Sequence, residues 1–413
     1  MKARTVLALT AVSAALGAAL IPAAASATSV RAANPTVISF NGANGSTPTS
    51  APICVKGQAS TFGGADMCFG ATFVGGPTNN GTIWQATPDL RTFRTIGTFD
   101  LANGLTPSQA PVMNADGTAL FGATTQAGAS GLGVIYTYDL TKSASTNPLT
   151  AIASFTPATG TTSQASPIIV GDTLYGTTGQ NGKRQGGTIW KFDTKTPGSK
   201  IEVLHNFAPS SKSDVAIPFG ALTYNPADGL LYGQAFNGGK NSLGGVFSIN
   251  PNGTDYRIRL NFTKTTGGMP QMGALLLSKD GSLYSNTWIA GAHNGGAVLK
   301  FDPAANSSNV VFNYNSTTGV SPYNSLAESP SGIFLYSITW RGNAKGGLGA
   351  IIAIEKASGK ATVLHNFKRS EGALTFSGAT VSPDGTRILT QMGAGGKSGI
   401  GTVLSFVIPS AFR

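Results

Sequence analysis

Gly187-Thr188-Ile189-Trp190-Lys191-Phe192 is a glycine that opens a short, largely apolar run, and the same figure recurs at Gly81, Gly133, Gly245, Gly296, Gly349 and Gly401. Successive copies stand 52, 54, 58, 51, 53 and 52 residues apart. A period of roughly 50 residues, filled by several short strands with turn residues between them, is the mark of a β-propeller blade. One such unit cannot bury its own apolar faces and has to stack on its neighbours. The sequence therefore predicts an all-β, seven-bladed β-propeller.

Working outward from that glycine, each repeat yields four strand candidates. The first is announced by a proline, at Pro52, Pro111, Pro167, Pro218, Pro270 and Pro322, with Thr375 in that slot of the last copy. Proline suits the beginning of a strand, where its missing N–H costs least. The second carries an aromatic at Phe69, Phe121, Tyr175, Tyr232, Tyr284 and Tyr336, replaced by Leu389 at the end. Between these two lie Asp116-Gly117, Asp228-Gly229, Asp280-Gly281 and Asp384-Gly385, strong hairpin signals. The third strand follows the repeated glycine. The fourth ends on an aromatic at Phe99, Phe155, Phe207, Phe262, Tyr314 and Phe367.

The seventh fourth strand is found far from its partners, at Thr36 to Phe40, whereas the last third strand is Gly401 to Val407. Pairing the two completes the seventh blade and removes an open sheet edge that would invite aggregation. The expected domain is a single propeller over residues 28–413. Ahead of it, Lys2 and Arg4 precede an apolar stretch from Val6 to Ile21 and the small-residue pattern Ala25-Ser26-Ala27. That is the pattern of an export signal over residues 1–27, cleaved before Thr28. No other segment has the length of apolar residues needed to span a bilayer, so a secreted or periplasmic protein without a membrane span is expected.

Segments such as Leu174-Tyr175-Gly176-Thr177-Thr178, Gly186-Gly187-Thr188-Ile189-Trp190-Lys191 and Val203-Leu204-His205-Asn206-Phe207 resemble the tandem GloVer repeat of exported bacterial proteins. The resemblance runs from about Thr36 to Val407, is clearest in the third to fifth repeats and fades in the last, where Leu389 and Thr390 replace the aromatic and glycine. It implies a propeller-like fold and export, and assigns no activity.

Cys54 and Cys68 are the only cysteines, on strands predicted to be hairpin neighbours in the first blade. In an oxidising compartment they are expected to form a disulfide. Of the three histidines, His205 and His365 share one repeat position, before Asn206-Phe207 and Asn366-Phe367, which reads as a structural hydrogen-bonding element. His293 stands apart in a glycine-rich loop, as either a solvated residue or a ligand contact. Histidines and cysteines do not cluster as zinc ligands do, so no metal and no cofactor are expected.

Most carboxylates follow strand ends or form the turns. No signature selects a catalytic pair from Asp66, Asp89, Glu202, Asp214, Asp255, Glu328, Glu355 and Glu371, and no catalytic residue is assigned. Gly396-Lys397-Ser398 lacks the earlier glycine of a phosphate loop, where Gln391 stands, and reads as a basic turn.

In an up-and-down blade the loops from fourth to first strand and from second to third strand emerge on one face. Those loops carry the predicted ligand contacts Lys183, Arg184, Lys240, Arg341, Lys345 and Lys397. At their start, each four residues beyond a repeated Phe or Tyr, stand Phe73, Phe236, Trp288 and Trp340. These rings either pack between blades or stack on a sugar. The formal charge of +11 becomes +9 once Lys2 and Arg4 are subtracted (11 − 2 = 9), which favours anionic partners or simply solubility.

The leading expectation is a non-catalytic, monomeric propeller that binds an anionic polysaccharide or cell-envelope polymer, nucleic acid being disfavoured. One alternative is a polysaccharide lyase or hydrolase whose site converges from several blades around His293. The other is a structural scaffold for protein partners.

Overall fold

The computed structural model describes residues 34–57, 62–209, 211–342 and 347–413. The predicted export segment with its cleavage point, and Lys345, lie outside the described residues.

The third blade sets the pattern: strands Ile168–Val170, Thr173–Thr178, Thr188–Asp193 and Glu202–Asn206 pair antiparallel in chain order. The first, fourth, fifth and sixth blades repeat it, and the second adds a strand, Leu105–Pro107, to its second strand. First strands touch between the second and third, third and fourth, fourth and fifth, sixth and seventh, and seventh and first blades, so the first strands ring the axis and the fourth strands face outward.

Seven blades result because the split repeat is joined as the sequence predicts. Thr36–Ser39 pairs antiparallel with Thr402–Val407, in the register Thr36↔Ser405 to Ser39↔Thr402, completing the sheet that holds Thr380–Val381 and Arg387–Met392. Phe40 is fully buried in one cluster with Leu389 and Val403 of the seventh blade and Cys68 and Trp84 of the first. Trp84 Nε1 donates to Gln391 Oε1 at 3.1 Å, and Gln391 Nε2 donates to the Ser50 carbonyl at 2.7 Å. This buried polar seam links the first and seventh blades, and its Gln391-to-Ser50 half recurs between later blades as Gln234 Nε2 to Gly273 O at 2.8 Å and Asn286 Nδ2 to Asn324 O at 3.1 Å.

The repeated glycine holds each blade together. Its carbonyl accepts from the N–H of the fourth-strand aromatic, as in Phe207 to Gly187 at 3.0 Å and Phe40 to Gly401 at 3.0 Å, and the other five blades repeat the bond. In the fourth blade the residue in this role is Gly244, not Gly245. Gly244 has φ +80° and gives its carbonyl to Phe262 N, whereas Gly245 already belongs to the strand Gly245–Ile249. A doubled glycine put the sequence reading one residue out of step.

The prolines likewise occupy two positions in the loop rather than the one expected. Pro52, Pro111 and Pro167 immediately precede first strands, but Pro218, Pro270, Pro322 and Thr375 lie farther ahead of theirs. These four match Pro48, Pro107 and Ser163 instead. Each of these seven residues follows one in the left-handed region: Thr47, Thr106, Thr162, Ile217, Met269, Ser321 and Leu374. The turning residue also latches blades, for Ile217 N donates to Gly186 O at 2.9 Å, Ser321 N to Gly295 O at 2.8 Å and Thr47 N to Ile400 O at 2.8 Å.

Second and third strands are matched in size. Gly70, Gly122, Gly176 and Gly233 face Trp84, Tyr136, Trp190 and Phe247, while Ser285, Ser337 and Thr390 face Leu299, Ile352 and Leu404. A Cβ at Gly176 would stand 2.2 Å from the Trp190 ring, so the ring occupies the space a side chain would need.

Cys54 and Cys68 are direct cross-strand partners and are joined by a disulfide. With the two positions 14 apart in sequence, the bridge closes a loop worth about 3 kcal/mol in the chain-entropy account. Replacing both with serine is expected to lower unfolding free energy by that order, read from denaturant midpoints. An unchanged midpoint would show that the bridge constrains nothing.

Candidate binding face

The loops from fourth to first strand and from second to third strand lie side by side in every blade. Bridges between them include Ser46↔Val74, Thr161↔Gln180, Gly268↔Ile289, Val320↔Arg341 and Ala373↔Ala394. The two loop sets therefore form one face.

At the centre of that face is a cavity of about 290 Å³ lined by Thr47, Thr49, Phe73, Ser108, Gln164, Met272, Tyr323 and Phe376. These residues come from six of the seven blades, so the cavity sits on the axis. Beneath its mouth the axis is bridged: Gln109 Nε2 of the second blade donates to Met272 Sδ of the fifth at 3.4 Å. The cavity is thus a cup with a floor. Met272 N donates to Tyr323 O at 3.2 Å, and the Tyr323 ring meets Phe376 edge-on with centroids 5.0 Å apart.

The predicted aromatics are distributed around this cup. Phe73 lines it directly. Trp340 stands behind Phe376, with centroids 6.3 Å apart, and the Arg341 guanidinium lies 3.7 Å above the Trp340 ring. Phe236 packs against Phe219 at 5.8 Å, and Trp288 is half-buried outside the cup lining.

The cations are elsewhere. Lys183 N donates to Asn206 Oδ1 at 2.8 Å, Lys240 N to Asn261 Oδ1 at 2.8 Å and Lys397 N to Ser39 Oγ at 3.1 Å. Every one of those acceptors lies on a fourth strand, so the exposed lysines stand over the outer edge of the ring. Arg184 adjoins Lys183. His293 is exposed beside Ala292, whose N–H is tied to Asn313 in the same way. From first to fourth strand is three inter-strand spacings, roughly 14 Å. The face therefore has an aromatic, uncharged centre and a cationic perimeter, and among the described residues the Arg341 guanidinium lies beside the aromatic part.

The paired histidines serve the wall. His365 Nε2 is 2.8 Å from Glu371 Oε2, and that oxygen also accepts from Lys368 N at 3.0 Å. Burial works against ionisation of Glu371, yet these bonds hold its carboxyl below the usual range. In the third repeat Asp214 Oδ2 accepts from Ala208 N at 3.0 Å and lies 3.4 Å from His205 Nε2. Tyr256 stacks on His205 at 3.7 Å and donates to Asp214 Oδ1 at 2.7 Å; burial, then the Asp214 charge, pushes its hydroxyl well above the tyrosine range. Asp214 and Glu371, open candidates in sequence, thus fasten the loop that follows each fourth strand.

On the opposite face, Lys356 lies 2.7 Å from Glu328 and 3.8 Å from Asp280, and Lys300 lies 3.2 Å from Asp280. This network ties the fifth blade to the sixth. Among the described residues no three His, Cys, Asp or Glu side chains are grouped as a metal site, and no helix is long and apolar enough to cross a membrane.

The model of the Gloeobacter/Verrucomicrobia repeat matches residues 29–227 and 197–404, nearly the whole ring. The chain belongs to this repeat family. No protein of curated function matches its sequence. Among solved structures, this family member is similar to oligogalacturonate lyase from Vibrio parahaemolyticus: identity is 12%, coverage 92% of this chain and 100% of that one, and the TM-score 0.56. An oligogalacturonate lyase in complex with manganese matches at 11% identity over 89% of this chain and 99% of that one, with a TM-score of 0.55. The extracellular domain assigned to a hybrid two-component system of B. thetaiotaomicron matches at 11% identity, covering 91% of this chain and 40% of that one, with a TM-score of 0.56. At these identities the likeness is one of fold.

Proposed function

We propose that this repeat-family member is an exported, non-catalytic propeller that binds an acidic glycan or envelope polymer on its loop face. The observation that carries the reading is the arrangement of that face, an aromatic and uncharged axial cup inside a ring of exposed cations. Aromatic rings accept the apolar faces of sugars, and perimeter lysines meet carboxylate or phosphate groups where both remain solvated. The disulfide accords with an oxidising compartment. His365 is hydrogen-bonded to Glu371, and His205 lies 3.4 Å from Asp214 with no hydrogen bond to its Nε2; both stand on fourth strands, away from the cup lining.

The test is retention on immobilised acidic glycans, hyaluronan among them, at rising salt. Replacing Lys183, Arg184, Lys240 and Lys397 with glutamine is expected to weaken retention at least tenfold, about 1.4 kcal/mol, and to flatten its salt dependence. Retention that ignores both salt and these substitutions would remove the role given to the perimeter.

A further inference from the structure

We infer that the cup takes the end of the polymer rather than its middle: one neutral sugar ring enters along the axis, and acidic groups farther along the same chain reach the cationic perimeter. This rests on the binding function proposed above.

Four features of the molecule lead there. The floor made by Gln109 and Met272 closes the axis, so a polymer cannot thread through and only a terminus can go in. The cup's volume, about 290 Å³, is on the scale of one or two rings, since a cavity of roughly 150 Å³ already holds benzene. Its lining contains no ionisable acid or base other than the Tyr323 phenol, so a carboxylate placed there would meet a mostly apolar wall and gain no opposite charge. A neutral ring has no such cost. Phe73, Tyr323, Phe376 and Met272 offer apolar surface to its C–H faces, while the Gln164 amide offers a donor and an acceptor to its hydroxyls. Finally, the lysines tied to the fourth strands stand roughly 14 Å outward, a span that several sugar residues must cross before the first acid meets a cation.

Hyaluronan alternates neutral and acidic sugars, which makes its pentasaccharides a direct probe. One kind carries N-acetylglucosamine at both ends and two glucuronates; the other carries glucuronate at both ends and has more charge. Each is used to displace the full chain from immobilised hyaluronan, with tryptophan fluorescence followed in parallel, because Trp340 lies against the cup wall. The neutral-ended fragment is expected to displace at a concentration at least tenfold lower, against the charge difference, and to change the emission.

Gln164→Trp, which fills the cup, and Tyr323→Ala, which removes part of its wall, are each expected to abolish that preference and to weaken retention, whereas Lys183→Gln on the perimeter lowers the affinity for both fragments and keeps the preference. Equal displacement by both fragments, or a preference that survives both substitutions, would overturn end recognition while leaving the polymer-binding reading intact. Absence of retention on every acidic glycan would instead overturn the function on which this inference stands.

Discussion

A chain beginning at Asn41, and so lacking Thr36 to Phe40, is expected to lose its cooperative unfolding transition and to associate. The strand Thr36–Ser39 covers the edge of Thr402–Val407, five of whose six residues are buried. Removing it uncovers a hydrophobic strand with a row of unpaired backbone groups, the kind of edge that recruits other chains. Phe40 leaves with it, and loss of a fully buried phenylalanine alone costs about 3–5 kcal/mol. Set against a typical domain stability of about 5–15 kcal/mol, that loss together with the missing strand pairing consumes most of the margin. Thermal melts and size-exclusion chromatography read the effect. Adding a peptide of residues 34–43 should restore the transition, and a truncated monomer melting with the full chain would contradict the closure.

Gly187→Ala should be almost as damaging. Gly187 has φ +88°, and a Cβ there would stand 2.0 Å from the Thr178 carbonyl oxygen, with backbone rather than a flexible side chain in the way. The left-handed conformation and the forced backbone shift together are expected to cost on the order of 3 kcal/mol or more. Gly198→Ala is the matching control. Gly198 has φ +77° but nothing within 4 Å of its Cβ position, so only the conformational part applies, about 1 kcal/mol. Denaturant midpoints for the pair separate the two contributions, and equal losses would show that the carbonyl contact is immaterial.

These two sites were legible in the sequence for a physical reason. Each blade solves the same local problem, so the turning glycine, the aromatic at the fourth strand's end and the Asp-Gly hairpins recur with the period and can be counted. The split of one repeat between Thr36 to Phe40 and Gly401 to Val407 was readable in the same way. The Cys54–Cys68 bridge followed from two adjacent strand assignments. Within the repeat, legibility failed where two equivalent residue types stood close together, as with Gly244 and Gly245 or Pro48 and Pro52.

Contacts across the ring left no such trace. Gln109 meets Met272, and Trp84 meets Gln391, only because closure brings distant blades together, and neither pair has a periodic counterpart to betray it. The loop face was foreseen, but its radial order was not. Sequence put Phe73, Trp340, Lys183 and Lys240 on comparable loops, whereas the tie of Lys183 to Asn206 and of Lys240 to Asn261 carries those cations to the outer strands. Asp214 and Glu371 looked free in sequence because their partners, a histidine and a backbone N–H at the end of the fourth strand, meet them only in the folded loop.

The cup and the loop face exist only in a closed ring, and the strand Thr36–Ser39 is what seals it. Hydrogen exchange at the Phe40 amide measures that seal directly, for this N–H donates to Gly401 O at 3.0 Å just as Phe207 N donates to Gly187 O. The Phe40 amide is predicted to exchange as slowly as those of Phe207, Phe262 and Tyr314. Exchange at the rate of an exposed peptide, with those three still protected, would contradict the closed seven-bladed ring.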